Sequence, residues 1–339
     1  MIPSGALWIR FPRFVGDAVM MHQASEGLRA AGYPMVAWGP AATVELFQGT
    51  AGYAGTAPDP VRKPGLLSAA ALLRNFRPAA VLALPKSMRA SAAALVAGVK
   101  KRVGCFDGGG WLTLSAGAKY KNRDDHAIDR YMDIIHQGFP DVPEVAFKAF
   151  RPRPESLDAA ASMRRHLGME GHPYIVFAIG AASHSKRLGL GTLVEIAHRC
   201  LSEGFGVVVL GGGEHDLAWA ARLKEAVPEI CDLTGKLPWS QSAAWLCGAS
   251  SVLANDSGLA HLAAACGVRV VTVFGPTVPR HTAPRGPRAS ILRKEELACL
   301  ECLEWVCPLE NHPCMNQVPT DALWRALMAD ADRKHPDEG

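Results

Sequence analysis

Asp256, Ser257 and Gly258, with His261 one helical turn further on, stand where the apolar run Val252-Leu253-Ala254 gives way to the small apolar stretch Leu259 to Cys266. A strand end that meets a helix start leaves backbone N–H groups unpaired, and the helix dipole adds partial positive charge there. Glycine at such a turn lets a ligand approach the backbone closely. A diphosphate fits a junction of this kind. The plainer alternative is a capped helix with a satisfied His261.

Four further clusters carry reactive or charged side chains. Lys186-Arg187 follows a strand and a glycine, with Ser183, His184 and Ser185 beside it as donors. As a cation pair it would neutralise a phosphate leaving group, Arg bidentately and Lys as a point charge; otherwise it is a solvated loop. Asp17 follows Gly16 between a strand end and a helix start. It reads either as a first-turn aspartate or as a carboxylate base able to take a proton from a hydroxyl. Gly211-Gly212-Gly213 precedes a helix, but His215-Asp216 stands where a dinucleotide fingerprint needs its third glycine. Glu214 beside it would accept hydrogen bonds from ribose hydroxyls or simply favour the helix N-terminus. Lys119, Lys121 and Arg123 lie in a stretch, 108–126, without apolar periodicity, which marks a solvated or a functional loop.

The cysteines divide in two groups. Cys299-x2-Cys302-x4-Cys307-x6-Cys314 is dense enough for four thiolates to hold Zn²⁺ tetrahedrally and pin the chain's end, with His312 able to replace one ligand. An iron–sulfur cluster, reversible disulfides and unmetallated thiols are the alternatives to such a structural zinc. Cys105, Cys200, Cys231, Cys247 and Cys266 are scattered in apolar surroundings and read as reduced core residues.

The elements that must position these residues alternate between strand and helix. Strands are expected at Ala6 to Phe11, Met35 to Trp38, Ala79 to Leu84, Tyr174 to Ile179, Val207 to Leu210 and Val270 to Phe274. Helices are expected from about Asp17 to Ala31, at Leu66 to Phe76, Ser87 to Gly98, Ile128 to Gly138, Asp216 to Ala226 and Ser240 to Cys247. Another opens at a capping box, Thr192-Leu193-Val194-Glu195, and a last one runs from Thr320 to about Asp332. Little can be assigned between Gly49 and Gly65, and Phe150 to Glu155 has the composition of an interdomain linker. The pattern predicts an α/β protein with two Rossmann-like, doubly wound domains facing across a cleft. The expected divisions are 1–150, 151–318 with the cysteine-rich tail, and 319–339 as a C-terminal helix and tail.

A chain of 339 residues with 49% hydrophobic and 20% charged residues is that of a globular protein large enough for two domains. A formal charge of +4 does not argue for nucleic acid; it suits anionic ligands or an anionic membrane surface. No apolar run approaches membrane-spanning length. Arg10 and Arg13 follow the short first apolar run without a small-residue cleavage site, so the start reads as a strand and the protein as cytoplasmic.

Phe14-Val15-Gly16-Asp17-Ala18-Val19-Met20-Met21, Gly180 with Ser185-Lys186-Arg187, Val208-Val209-Leu210-Gly211-Gly212, Asp232-Leu233-Thr234-Gly235-Lys236 and Asn255-Asp256-Ser257-Gly258-Leu259-Ala260-His261 together resemble glycosyltransferase family 9. These are the ADP-heptose:lipopolysaccharide heptosyltransferases, and the first segment is most similar to the heptosyltransferase II branch. His126 to Tyr131 and the tail with Cys307-Pro308 and Cys314-Met315 are also similar to family members. The loop 183–190 departs from the family, whose members often carry Trp-Pro after the basic pair.

The resemblance implies a GT-B-type fold with a 1–150 acceptor-binding and a 151–318 nucleotide-sugar-binding domain, and inverting transfer of a heptose or related sugar from an ADP-sugar to a lipopolysaccharide core. It implies Asp17 as general base, with Lys186, Asp256, Ser257 and Gly258 on the donor sugar and diphosphate, joined by Ser183, Ser185, Arg187, Glu214, Leu259 and His261. The turn carrying Thr234 would lie near the nucleotide base. Lys119, Lys121 and Arg123 would meet anionic acceptor groups such as lipid A-core phosphates. No cofactor is expected for catalysis, and the protein would touch the inner membrane peripherally. A family 9 transferase with another sugar or acceptor, or a non-catalytic sugar-nucleotide binder, is the alternative.

Overall fold

The computed structural model describes residues 2–61, 65–84, 87–120, 122 and 124–329. The chain forms two compact units, Met1–Lys148 and Ala149–Gly339. Each is built on its own six-stranded sheet.

In the first unit the strands are β1 (Leu7–Arg10), β2 (Met35–Gly39), β3 (Tyr53–Pro58), β4 (Ala80–Ala83), β5 (Lys101–Cys105) and β6 (Ala116–Ala118). They pair in parallel in the order β3-β2-β1-β4-β5-β6. Parallel strands need crossovers that cover both faces, and β2 and β4 are accordingly buried along their whole length. Trp8, Val36, Trp38, Ala70, Leu73 and Val81 form part of one core cluster.

The second unit repeats the design with β7 (Tyr174–Ala178), β8 (Gly206–Leu210), β9 (Cys231–Asp232), β10 (Ser251–Asn255), β11 (Val270–Val273) and β12 (Ala289–Leu292). Its order is β12-β11-β10-β7-β8-β9, again parallel throughout. Counted from the first strand of each unit, the two orders are the same doubly wound order. The strand order therefore reverses between β1 and β4 in one unit and between β7 and β10 in the other. Those reversals open a crevice beyond the strand carboxyl ends, where ligands bind in such sheets.

Several elements differ from the expectations. The helix expected to run from Asp17 to Ala31 is two, Val15–Ala24 and Glu26–Ala30. At the break, the Ser25 hydroxyl donates to the Met21 carbonyl at 2.7 Å, a back-bond that competes with the helix. The capping box at Thr192 does not open its helix, which starts a turn earlier at Leu190. Gly189 precedes it because a Cβ there would fall 2.3 Å from the Asn316 side chain, and Glu195 instead accepts from the Thr320 hydroxyl at 2.5 Å. The expected linker is cut short, since Pro154 begins a helix, Pro154–His166. In the last helix, Thr320–Met328, Leu323 and Leu327 are fully buried in the core cluster of the second unit.

The first unit buries a histidine whose cost depends on pH. His22 Nδ1 lies 3.0 Å from the Tyr53 hydroxyl, and its ring sits against Phe47. Glu26 is 3.9 Å away, yet burial outweighs that carboxylate and, with the Arg29 charge, pushes the imidazole down to about 3. In the unfolded chain His22 titrates near 6.5, so the stability from its neutral burial is complete above that pH. As pH falls toward the folded value only the unfolded state takes up the proton, which lowers stability by about 1.4 kcal/mol per pH unit. A His22→Gln variant is expected to lose that part of the slope in denaturant titrations between pH 7 and 5. Parallel curves for the two proteins would contradict this.

Candidate functional site

The reversal between β7 and β10 carries a network of buried polar side chains. After β7 the chain makes a single 3₁₀ turn, His184–Lys186, and after β10 it passes through Asp256 and Ser257 into the helix Gly258–Ala265. Lys186 Nζ donates to Asp256 Oδ2 at 2.7 Å. The Thr277 hydroxyl, in the turn beyond β11, donates to the same oxygen at 2.8 Å. Asp256 is buried while Lys186 stays partly exposed. The carboxylate thus faces inward and fixes an ammonium at the carboxyl ends of two adjacent strands. A buried anion is a poor partner for a diphosphate, so Asp256 is built to position Lys186.

Neighbouring residues hold the two strand ends in register. Asn255 accepts from the Leu188 N–H at 3.0 Å and donates to the Ile179 carbonyl at 2.8 Å, which ties the loop to β10. Arg187 points away from Lys186: its guanidinium donates to Asp216 at 2.6 Å and to the Ala181 carbonyl at 3.0 Å. Asp216 also accepts from the Gly212 N–H at 2.8 Å. Arg187 and Asp216 are both buried, so this pair stitches the 181–187 loop to the turn after β8. The exposed cation of the expected pair is Lys186.

The remaining donor-side residues fall into two groups. Among the described residues, Ser257 Oγ and Thr234 Oγ1 are buried atoms without a hydrogen-bond partner, the second in a residue 1% exposed. Ser257 caps the helix Gly258–Ala265 by position but makes no side-chain cap bond. The Thr234 N–H is held by Asp232 at 2.9 Å, and the Gly235 N–H by the Gly211 carbonyl at 3.0 Å, which places Thr234 at the carboxyl ends of β8 and β9. Such hydroxyls are donors in need of an acceptor. Glu214 is exposed at the start of the helix Glu214–Ala226. Leu259 and His261 are buried in their helix, and Ser183 and Ser185 are buried and bonded to each other at 3.1 Å.

In the first unit Asp17 is half-buried in the first turn of Val15–Ala24, beyond β1, where the helix dipole favours a carboxylate. Its charge reaches Tyr131 on the helix Ala127–Gly138; burial and then Asp17 raise the phenol above its usual range. A cavity of about 270 Å³ lies near the first sheet's reversal, lined by Arg10, Trp38, Ser87 and Arg89 among others. Arg10 there is paired with Asp59 at 2.5 and 2.8 Å. Of the expected acceptor cluster, Lys119 is exposed just past β6, while Lys121 and Arg123 lie outside the described residues.

The zinc expectation is not supported. Cys299, Cys302, Cys307 and Cys314 are free thiols, and among the described residues no group of three or more His, Cys, Asp or Glu is arranged to hold a metal ion. Cys314 instead packs beneath Gly275, where a Cβ would come within 2.6 Å of its sulfur, and burial pushes its thiol up to about 11. His312 is no substitute ligand either, because its Nε2 is bonded to the Ser185 carbonyl at 2.7 Å. Among the described residues no helix is long and apolar enough to cross a membrane.

Spacing alone could not find Thr277, Asn255 or Asp216, whose roles come from contacts between distant strand ends. Nor did it find the contact between the His184 and His215 rings, 4.5 Å apart, which joins the loops after β7 and β8.

Residues 68–312 match the family described as glycosyltransferase family 9 (heptosyltransferase). Lipopolysaccharide heptosyltransferase 1 of Pseudomonas aeruginosa is 32% identical over 184 residues, 54% of this chain and 48% of that protein. The chain thus spans about half the length of that curated relative. The structure of Escherichia coli ADP-heptose lps heptosyltransferase II superposes with a TM-score of 0.78 at 20% identity, covering 96% of this chain and 99% of that one. E. coli heptosyltransferase WaaC, solved with ADP, superposes with a TM-score of 0.73 at 17% identity over the same shares. At these identities the superpositions establish the fold.

Proposed function

The chain belongs to glycosyltransferase family 9, and from that premise we propose that it transfers a heptose from an ADP-sugar to a lipopolysaccharide core acceptor with inversion at the anomeric carbon. The observation that carries this reading is Lys186, held at the reversal between β7 and β10 by Asp256, whose carboxylate also accepts from Thr277. Breaking a glycosyl–phosphate bond leaves negative charge on the departing diphosphate. A fixed ammonium aimed at that charge stabilises the transition state more than the ground state, without reorganisation during the reaction. The N-terminus of Gly258–Ala265, with the unpartnered Ser257 hydroxyl, adds donors for phosphate oxygens. Thr234 would meet the nucleoside.

The second unit is then the donor-binding one and the first the acceptor-binding one, near the boundaries 1–150 and 151–318. Asp17 takes the proton from the acceptor hydroxyl as that oxygen attacks the anomeric carbon on the face opposite the diphosphate. Proton and leaving-group charge are both met by side chains of this chain, and the sequence of steps closes with ADP and the glycoside. Lys119, Lys121 and Arg123 suit anionic groups of the acceptor. The protein works in the cytoplasm, touching the inner membrane where such an acceptor is displayed.

Calorimetric titration tests the donor half directly. ADP is expected to bind at least tenfold more tightly than UDP or GDP; equal affinity for all three would overturn an adenine-nucleotide donor. In the acceptor half, an unchanged acceptor KM after replacing Lys119, Lys121 and Arg123 together by Ala would remove those residues from the site.

A further inference from the structure

The cysteine-rich tail runs across the back of the loop that carries Lys186. Three of its groups converge on Ser185: the Ser185 N–H donates to the Trp305 carbonyl at 3.2 Å, its hydroxyl to the Glu304 carbonyl at 2.5 Å, and its carbonyl accepts from His312 Nε2 at 2.7 Å. The Gly189 N–H donates to the Met315 carbonyl at 3.3 Å. The tail also grips the turn that leads to Thr277, since the Glu301 N–H donates to Gly275 O at 3.0 Å and the Leu303 N–H to Pro276 O at 2.8 Å. Lys186 and Thr277 are the two partners of Asp256. One segment therefore holds both flanks of the ammonium.

The tail's path is not one its residues choose locally. Glu301, Leu303, Asn311 and His312 all have positive φ, between 43° and 61°. Non-glycine residues in that region cost of order 1–2 kcal/mol each, so tertiary contacts must impose the path. The contacts that do so are those at Ser185, Gly189, Gly275 and Pro276. Burial lowers the His312 imidazole from its usual value, which keeps it neutral, with Nε2–H as the donor to Ser185 O.

We propose that segment 301–316 is a strap that positions Lys186, with Ser185 and His312 as positioning residues rather than ligands of the donor. This rests on the reading of Lys186 as the group that meets the leaving diphosphate. It assigns the buried hydroxyls of Ser183 and Ser185 to anchoring, and it gives the tail a role that needs no metal.

The test is a double-mutant cycle in the full chain, His312→Ala with Lys186→Ala, read as kcat and KM for the donor together with hydrogen exchange of peptides covering 183–189. His312→Ala is expected to lower kcat about tenfold, to raise exchange in that loop, and to lower kcat no further in the Lys186→Ala background. His312→Gln, whose side-chain N–H can reach the same carbonyl, should recover most of the loss. Unchanged exchange in the loop, or the same fold-loss in both backgrounds, would overturn the strap. Raised exchange with unchanged kcat would support the strap and contradict the role given to Lys186.

Discussion

Replacing Asp17 by Asn is expected to lower kcat by about a thousandfold while leaving ADP affinity within a factor of two. Removing a positioned general base costs roughly 10²–10⁴ in rate. The substitution preserves size in a first-turn position, so the helix Val15–Ala24 keeps its packing: Ala18, Val19, Met20 and Met21 are all buried and untouched. Asp17 belongs to the first unit and the residues proposed to hold the nucleotide to the second, which is why binding and turnover should separate. A protein that only bound sugar nucleotides would have no use for this carboxylate. Rapid-quench turnover assays beside ADP calorimetry decide the matter; full turnover in Asp17→Asn removes it as the base.

The second large effect is expected at Lys186. Lys186→Ala should lower kcat by about 10²–10³, the usual size for removing a preorganised charge from a developing anion. Asp256→Asn should lose less, about tenfold, because the lysine remains but is no longer held. The two losses should not add in the double variant, since both act through one ammonium. Arg187→Ala should behave differently: it leaves Asp216 buried without its cation, so the loss should appear mainly as a lowered melting temperature. Equal kcat losses from Lys186→Ala and Arg187→Ala, with no change in stability, would contradict the division between a reacting and a structural cation.

Where chemistry depended on a local turn, the sequence was readable. The break from Val252-Leu253-Ala254 into Asn255-Asp256-Ser257-Gly258 marks a strand end and helix start by residue type alone, and the structure has β10 and a helix there. Lys186-Arg187 looked like one cation pair because nothing in a dipeptide says where each side chain points. The loop after β7 sends one to Asp256 and the other to Asp216, and only the assembled sheet fixes both. Thr277 was invisible for the same reason, being joined to Asp256 through the register of β10 and β11.

Other failures have local causes. The helix Pro154–His166 buries little, Ser156 and Ala160 among its thirteen residues, so it has no apolar stripe to betray it. β3 and β12 are half-exposed strands near the sheet margins whose alternation is weak. The cysteine spacing looked like a metal site because spacing ignores direction. Cys314 turns into the core cluster under Gly275 and Cys302 is exposed, while His312 turns toward Ser185. The role proposed for the tail rests on hydrogen bonds to distant loops, many of them from the backbone, which leave no mark on residue type.

The most direct measurement is the mass of the acceptor after incubation with ADP-heptose and a truncated core acceptor that lacks heptose. Heptosyl transfer predicts an acceptor heavier by one heptosyl residue, ADP released in equal amount, and no product from Asp17→Asn on the same timescale. An acceptor of unchanged mass, with the nucleotide sugar bound but intact, would contradict the transferase reading and leave a binding protein in its place.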